Sequence, residues 1–489
     1  MRDVKKELRE RDQQIDDLLE TGRRQADEIR RLKARIAELE AALGQRKEAN
    51  TSKPPKFSGN YSLGQQEKQR SRRRKKKSPG RRPNALKFPK VQRTQDVYPD
   101  GVPPERCCFC RDRFVWRLED GRAVFVGYRL HRENGTHNVA TLPDVLPRSE
   151  YGLEIAITLA YLVYSLNLSI DQSRELLKFF CHLELSASQA DLLLNHLAKL
   201  WQADFDALVE MMALATVVYM DETGWKVSAK RCYAWVFTSL LHTVLLYGRK
   251  RDAAVVDEIL PRDVFQGIGV SDDYSVYRNR FSKGQKCWAH LLRKAIKLML
   301  SYSETPRYRK FFEELLAVFR EGQRLQKDGR LSGAGRRRKV EDLEERFRSL
   351  CSRFRPQEQQ RQAPGGADYA ALLKELVRCL ADGELFTFVL HPEVEATNNV
   401  SERTFRNSAQ ARNTNRTSKT QAGAKRRSVI SSIFTSLRQN LQELTLESIL
   451  QEVTGWCRTG QSLFRRQLQE LRDAAKPPPD PEFPSPALA

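Results

Sequence analysis

Two short apolar runs in this chain end in acidic residues. Val217-Val218-Tyr219-Met220 leads into Asp221-Glu222-Thr223, and Gly267 to Val270 leads into Ser271-Asp272-Asp273-Tyr274. Such runs read as buried strands. A carboxylate at or just beyond the end of a buried strand stands on the rim of a sheet, where open α/β folds build their sites. Two such strands side by side bring Asp221 and Asp272 together. Like charges that close are costly unless a cation lies between them, and hard divalent ions suit carboxylate oxygens. Glu402 is the candidate for a third ligand. It stands in Asn398-Asn399-Val400-Ser401-Glu402-Arg403, at an expected helix start, with Arg406 one turn later. Two Mg²⁺ (or Mn²⁺) ions in such a site activate an attacking hydroxyl and stabilise the leaving oxygen of an in-line displacement, while basic side chains hold phosphates. Spacing alone leaves another reading open. The chain has 62 acidic residues, so many triplets can be drawn, and Asp221 or Glu402 could instead be a helix cap or a salt-bridge partner.

The elements that must position these residues follow from pattern. Apolar and aromatic runs at 217–220, 233–238 and 243–247 predict three strands; 253–260 predicts a helix and 267–270 a further strand. That order belongs to a mixed sheet with helices on its faces. Residues 150–215 and 295–385 read as helical, the second block with loops at Gly333–Lys339 and Ala363–Asp368. Residues 425–456 read as a last helical stretch, before a tail containing Pro477-Pro478-Pro479. The charge-free run Ile155 to Ile170 is too short for a bilayer and reads as a buried helix.

The N-terminal region has a different character. Leu8, Ile15, Ile29, Ile36 and Leu43 share one heptad position, and Val4, Leu18, Leu32 and Leu39 the other. This predicts a coiled coil, with self-association favoured over a single amphipathic helix. After Asn50-Thr51-Ser52-Lys53-Pro54-Pro55, every residue from Arg70 to Lys77 except Ser71 is basic. Arg72, Arg73, Arg74, Lys75, Lys76 and Lys77 form a candidate phosphate-contacting arm, the alternative being a solvated linker. Lys+Arg is 85 against 62 Asp+Glu, a net charge of +23, which favours a polyanionic partner. No secretory signal opens the chain, and nine cysteines in 489 residues suit a reducing cytoplasm better than a disulfide scaffold. Cys107 and Cys110 form half of a structural zinc site. His131 and His137 could complete it with one Zn²⁺; a degenerate finger without metal is the alternative.

In this order the motifs resemble the transposases of insertion-sequence family 66, over nearly the whole chain. The resemblance rests on Asn50 to Pro55, the cysteine-containing region, Tyr151-Gly152, Asp221-Glu222-Thr223, Asp272-Asp273-Tyr274 with Tyr277, Cys287-Trp288-Ala289-His290-Leu291 with Arg293, and Asn398 to Arg403 with Arg406. It implies a ribonuclease-H-like α/β core with an Asp-Asp-Glu triad, here Asp221, Asp272 and Glu402. Asp273 stands where the family usually has glycine, and Asp272 aligns with the motif's first position. The implied order is a coiled coil (1–46), a basic arm (47–100), a zinc-finger-like module (101–148), a helical domain (149–215), the first part of the core (216–294), a helical insertion (295–390), the core's C-terminal helices (391–456) and a C-terminal extension (457–489). His290, Arg293, Asn399, Arg403 and Arg406 are implied DNA contacts. The implied activity is metal-dependent cleavage at element ends and strand transfer into target DNA. It would be carried out in the cytoplasm on the nucleoid, by a homo-oligomer, with accessory proteins of the element as candidate partners and no membrane. Two rivals remain: a structure-specific nuclease on the same fold, and an inactive or domesticated transposase that only binds DNA.

Overall fold

The computed structural model describes residues 90–228 and 230–474. The predicted coiled coil, the basic cluster at 70–77 and the proline-rich tail lie outside them.

A three-stranded sheet comes first. β1 (Arg93–Val97) pairs parallel with β3 (Arg122–Glu133), which pairs antiparallel with β2 (Cys107–Glu119). Asp120-Gly121 joins β2 to β3 with φ of 48° and 75°, the two-residue turn that matches the twist of a hairpin. Val115, Val126, Tyr128 and Leu130 fill its core with Ala140 and Val145.

A helical block follows: α1 (Leu153–Ala160), α2 (Ile170–Cys181), α3 (Ala187–Leu200) and α4 (Gln202–Ala213). Ser169 with Gln172, and Ser186 with Gln189, form reciprocal capping boxes that start α2 and α3. The charge-free run is buried through Tyr164, as its composition predicts, but it is not one helix. After Ala160 it passes into a π-helical turn at Tyr161–Ser165 and then a loop. No helix of the described residues is long and apolar enough to cross a membrane.

The central sheet contains β4 (Val217–Val227), β5 (Lys230–Thr238), β6 (Thr243–Arg249), β7 (Ile268–Ser271) and β8 (Lys283–Lys286), with α5 (Ala253–Ile259) between β6 and β7. The order is β6-β5-β4-β7-β8. β4, β5 and β6 run antiparallel, whereas β4, β7 and β8 run parallel. This is the expected mixed sheet flanked by helices. β8 has no apolar residue to announce it. Its Gln285 and Lys286 are nonetheless buried, because the chain returning at Glu384-Leu385 covers them: Gln285 donates to the Leu385 carbonyl at 3.2 Å, and Lys286 lies 3.5 Å from the Glu384 carboxylate.

Next come α6 (Trp288–Ser301), α7 (Pro306–Lys327), α8 (Gly333–Arg353), α9 (Glu358–Gln362), α10 (Gly366–Ala381) and α11 (Thr387–Leu390). The predicted loop at Gly333–Lys339 is instead the first turns of α8. The Ser332 side chain accepts from the Gly335 amide, a cap that outweighs the two glycines. The chain ends in α12 (Asn399–Asn413), α13 (Gln421–Asn440), α14 (Leu446–Thr459) and α15 (Leu463–Ala474). α15 falls in the predicted C-terminal extension and packs on α4, with Arg465 3.0 Å from the buried Asp204 carboxylate.

α13 closes the sheet edge in an uncommon way. The hydroxyls of Ser428, Ser432 and Ser436 accept from the backbone amides of Tyr247, Leu245 and Thr243 at 2.9, 2.8 and 2.9 Å. Serines four apart lie on one helix face, and every second amide of a strand points to one side. The two repeats are similar in length, so one helix satisfies a whole strand edge.

Candidate active site

Asp221 is the fifth residue of β4, not the residue beyond its end. The strand continues to Val227 because β5 pairs with it along that length. What stops near Asp221 is the pairing with β7, whose last partners are Tyr219 and Val270. Asp221 and Asp272 each stand two residues past that pair. The same register therefore sets them side by side where the parallel half of the sheet opens. Asp221 is largely buried and accepts one hydrogen bond, from the Glu222 amide at 2.8 Å. Its carboxyl is pushed up to about 7, first by burial and then by the charges of Glu222, Asp272 and Glu402. Asp272 and Glu402 are thus both within electrostatic reach of Asp221.

The geometry separates Asp272 from Asp273. Asp273 is held by two arginines, Arg278 at 2.9 Å and Arg378 of α10. Asp272 makes no ion pair among the described residues, and its Oδ1 accepts from the Tyr274 amide at 2.9 Å. The motif assignment and the charge environment therefore point to the same residue.

Glu402 lies in the first turn of α12, as predicted. Its Oε1 is 2.8 Å from Arg293 and 3.9 Å from His290 Nε2, both on α6. Arg293 and His290 thus face a carboxylate in this structure. Burial first, and then Arg293, lower the pKa of His290, against the opposing pull of Asp272 and Glu402. The imidazole is accordingly neutral at pH 7. Its Nδ1 is buried without a hydrogen-bond partner among the described residues.

Asn398 joins the parts. It is 1% exposed. Its Nδ2 donates to the Met220 carbonyl at 2.6 Å, and its backbone amide donates to Cys287 Sγ at 3.1 Å. One residue thus ties the start of α12 to the strand bearing Asp221 and to the residue before α6. Asn399, Arg403 and Arg406 are exposed. Arg403 lies 3.6 Å from Glu395, while Arg406 has no acidic partner among the described residues.

Sequence reasoning missed the role of Glu222. Its side chain is buried and accepts from Tyr277 Oη at 2.5 Å and from Arg251 Nη2 at 2.6 Å. The Arg251 guanidinium in turn lies 3.7 Å over the Tyr274 ring. Glu222 thereby ties β4 to the turn that carries Asp272. The signal was Tyr277 itself, a tyrosine whose hydroxyl must find a partner when buried.

The proposed zinc ligands do not converge. Cys107 and Cys110 lie on strand β2 rather than on a knuckle loop, and Cys107 points its thiol at the Pro103 carbonyl. His131 is engaged by Asp96 at 2.6 Å and stacks on Tyr98, and His137 is exposed. Cys107, Cys110 and His131 lie toward one end of the β2–β3 ladder, where Cys107 pairs with Glu133 and Phe109 with His131, and His137 lies beyond the end of β3. Among the described residues, no group of three or more His, Cys, Asp or Glu gathers as a ligand set. That applies also to Asp221, Asp272 and Glu402: the last two raise the pKa of Asp221, while Glu402 remains paired with Arg293. Their donor chemistry nevertheless suits a hard divalent cation. The donors are carboxylate oxygens, and Asp221, its pKa raised first by burial and then by the neighbouring acids, is a group that a bound cation would relieve.

No curated protein matches the chain. Residues 148–426 match the Transposase IS66 family. That stretch runs from the start of the helical block through the central sheet, the helical insertion and α12, and it is more than half of the sequence; the chain belongs to the IS66 family of transposases.

Proposed function

We propose that this chain cuts the ends of an insertion sequence and joins them to target DNA, with Asp221, Asp272 and Glu402 as the catalytic triad of a ribonuclease-H-like core. The observation that carries the reading is the shared register of Asp221 and Asp272, with Glu402 close enough to act on the Asp221 charge. The strand order, three antiparallel strands continued by two parallel ones, supports the assignment of the core. The carboxylate donors are of the type that suits Mg²⁺ or Mn²⁺; two such ions, held by Asp221, Asp272 and Glu402, would activate the attacking hydroxyl and stabilise the leaving oxygen.

The chain's own groups do the rest. Asp221 and Asp272 hold fixed positions at the sheet opening through backbone hydrogen bonds, so their oxygens need little reorganisation. Glu402 comes in on a helix whose placement depends on Asn398. Neutral His290 can accept or donate a hydrogen bond without adding charge. Arg406, unpaired with any acid among the described residues, stands one turn from Glu402 and suits a phosphate beside the scissile bond. The basic stretch at 70–77 would add contacts that do not depend on sequence, and the heptads at 4–43 would pair protomers so that two DNA ends are held together.

Cleavage and joining on DNA carrying the element's ends test this directly, with either metal and with accessory proteins of the element supplied. Asp221→Asn, Asp272→Asn and Glu402→Gln should each lose more activity than the roughly 10–100-fold that loss of an outer-shell partner costs, while still binding DNA. Activity that survives one substitution removes that residue from the triad. Hydrolysis without joining would mark a nuclease. Binding without any cutting would mark a DNA-binding protein.

A further inference from the structure

Beside the catalytic helix lies a cleft of about 470 Å³, walled by α12, α13, β6 and the π-helical turn after α1. No acidic residue lines it. Arg403, Arg406 and Arg438 do, and Arg406 and Arg438 have no acidic partner among the described residues. Inside, Ser431 Oγ is buried and lacks any hydrogen-bond partner among the described residues. Such an orphan is unusual, because buried polar atoms are nearly always satisfied. Gln410 brings an exposed amide, while Leu245, Phe434 and Tyr247 contribute apolar and aromatic surface.

Arg427 sits behind this wall and is only 6% exposed. Its guanidinium lies 5.2 Å from the ring centres of Tyr164 and Trp225 and 5.6 Å from that of Tyr247. It has no carboxylate partner among the described residues. Tyr164 and Tyr247 also line the cleft, so the cleft is backed by an uncompensated positive charge. The field favours an anion. A bare phosphate would leave the apolar wall and the orphan hydroxyl unused. A nucleotide uses both, since its base offers π-faces and hydrogen-bonding edges and its phosphate suits arginines.

We infer that this cleft is a subsite for one nucleotide drawn out of the duplex next to the cleaved bond. The inference rests on the triad reading, because it is α12 that carries Glu402. Arg406 follows Glu402 by one turn, roughly 6 Å of axial rise, so a strand with a phosphate at Glu402 continues over Arg406 toward the cleft. Arg403, Arg406 and Arg438 hold the phosphates of the displaced nucleotide. Gln410 and Ser431 meet the edge of its base.

The test uses the full chain in EDTA, so no cleavage is involved. The probe is a duplex with a short single-stranded 3′ overhang and 2-aminopurine at the junction, a base whose emission rises when it leaves the stack. Saturating wild-type protein should raise the emission several-fold, and Asp221→Asn should do the same. Arg438→Ala and Gln410→Ala alter exposed side chains. With thermal midpoints like the wild type, they should lose most of the rise while keeping most of the affinity read by anisotropy. With 5-iododeoxyuridine at the same position, wild-type cross-links should map to residues 399–413 or 421–440. No rise with wild type, an undiminished rise with both variants, or cross-links confined to other segments would each overturn the subsite. A rise that persists in a protein that never cuts DNA would sink the triad reading and leave the subsite standing.

Discussion

Asp221 stores a cost in the metal-free protein, and that cost can be measured. In an unfolded chain an aspartate loses its proton near pH 3.9. In the fold, burial together with Glu222, Asp272 and Glu402 keeps the proton on Asp221 up to about 7. Between these values the folded state binds the extra proton. The stability linked to it is therefore full below the unfolded pKa and is lost as pH rises through the folded one. In EDTA, the thermal midpoint of Asp221→Asn should gain on wild type as pH rises from about 4 to about 7, and the gap should level off above that. Mg²⁺ should then raise the wild-type midpoint and leave the variant's nearly unmoved, since only a ligand that binds the native site stabilises it. A gap that does not vary with pH would mean that Asp221 is not under this charge. At this scale the placement of the candidate acids was legible in the sequence, because each followed an apolar run or opened a helix. The zinc reading finds no gathered ligand set among the described residues. Cys107, Cys110, His131 and His137 have suitable types and spacing, but the pairing of His131 with Asp96 is a long-range contact that spacing does not encode.

Elements were legible where they bury an apolar stripe, and less so where long-range packing defines them. β4, β5, β6 and β7 were found from apolar runs. The extension of β4 through Asp221 to Val227 depends on its pairing with β5, and β8 depends on cover supplied about a hundred residues later in the chain, at Leu385. The joint at Asn398 also belongs to this scale, since it connects three elements and makes no side-chain cap on its own helix. Asn398→Ala should leave the Met220 carbonyl buried and unpaired, a cost of about 1–3 kcal/mol. Cleavage should fall by roughly 10–100-fold with DNA affinity retained, the usual penalty for removing an outer-shell support. Unchanged cleavage in the folded variant would show that α12 finds its place without this joint.

For the whole molecule, the net charge of +23 is the dominant fact. Much of the cationic surplus inside the fold is already committed: Arg293 to Glu402, Arg278 and Arg378 to Asp273, Arg251 to Glu222. On the proposed function, general attraction to DNA would fall to groups such as Arg406 and Arg438 and to the basic stretch from Arg70 to Lys77. Removing one cation that neutralises a phosphate should flatten the slope of log affinity against log salt by roughly 0.9. Deleting residues 70–77 should flatten it by several such steps and weaken binding to element ends and unrelated DNA alike. An unchanged slope in a salt titration would place those charges off the DNA.

The serine face of α13 sets a timing problem for synthesis. Thr243 and the serine that covers its amide are 193 residues apart, and Tyr247 and its serine are 181 apart. At roughly 5–20 residues per second, the amides of β6 wait on the order of 10–40 s on the ribosome before their cover exists. During that interval neighbouring nascent chains carry identical open strands, and an open strand is a template for another. The step that makes this sheet safe is the emergence of a helix, not the formation of the sheet itself.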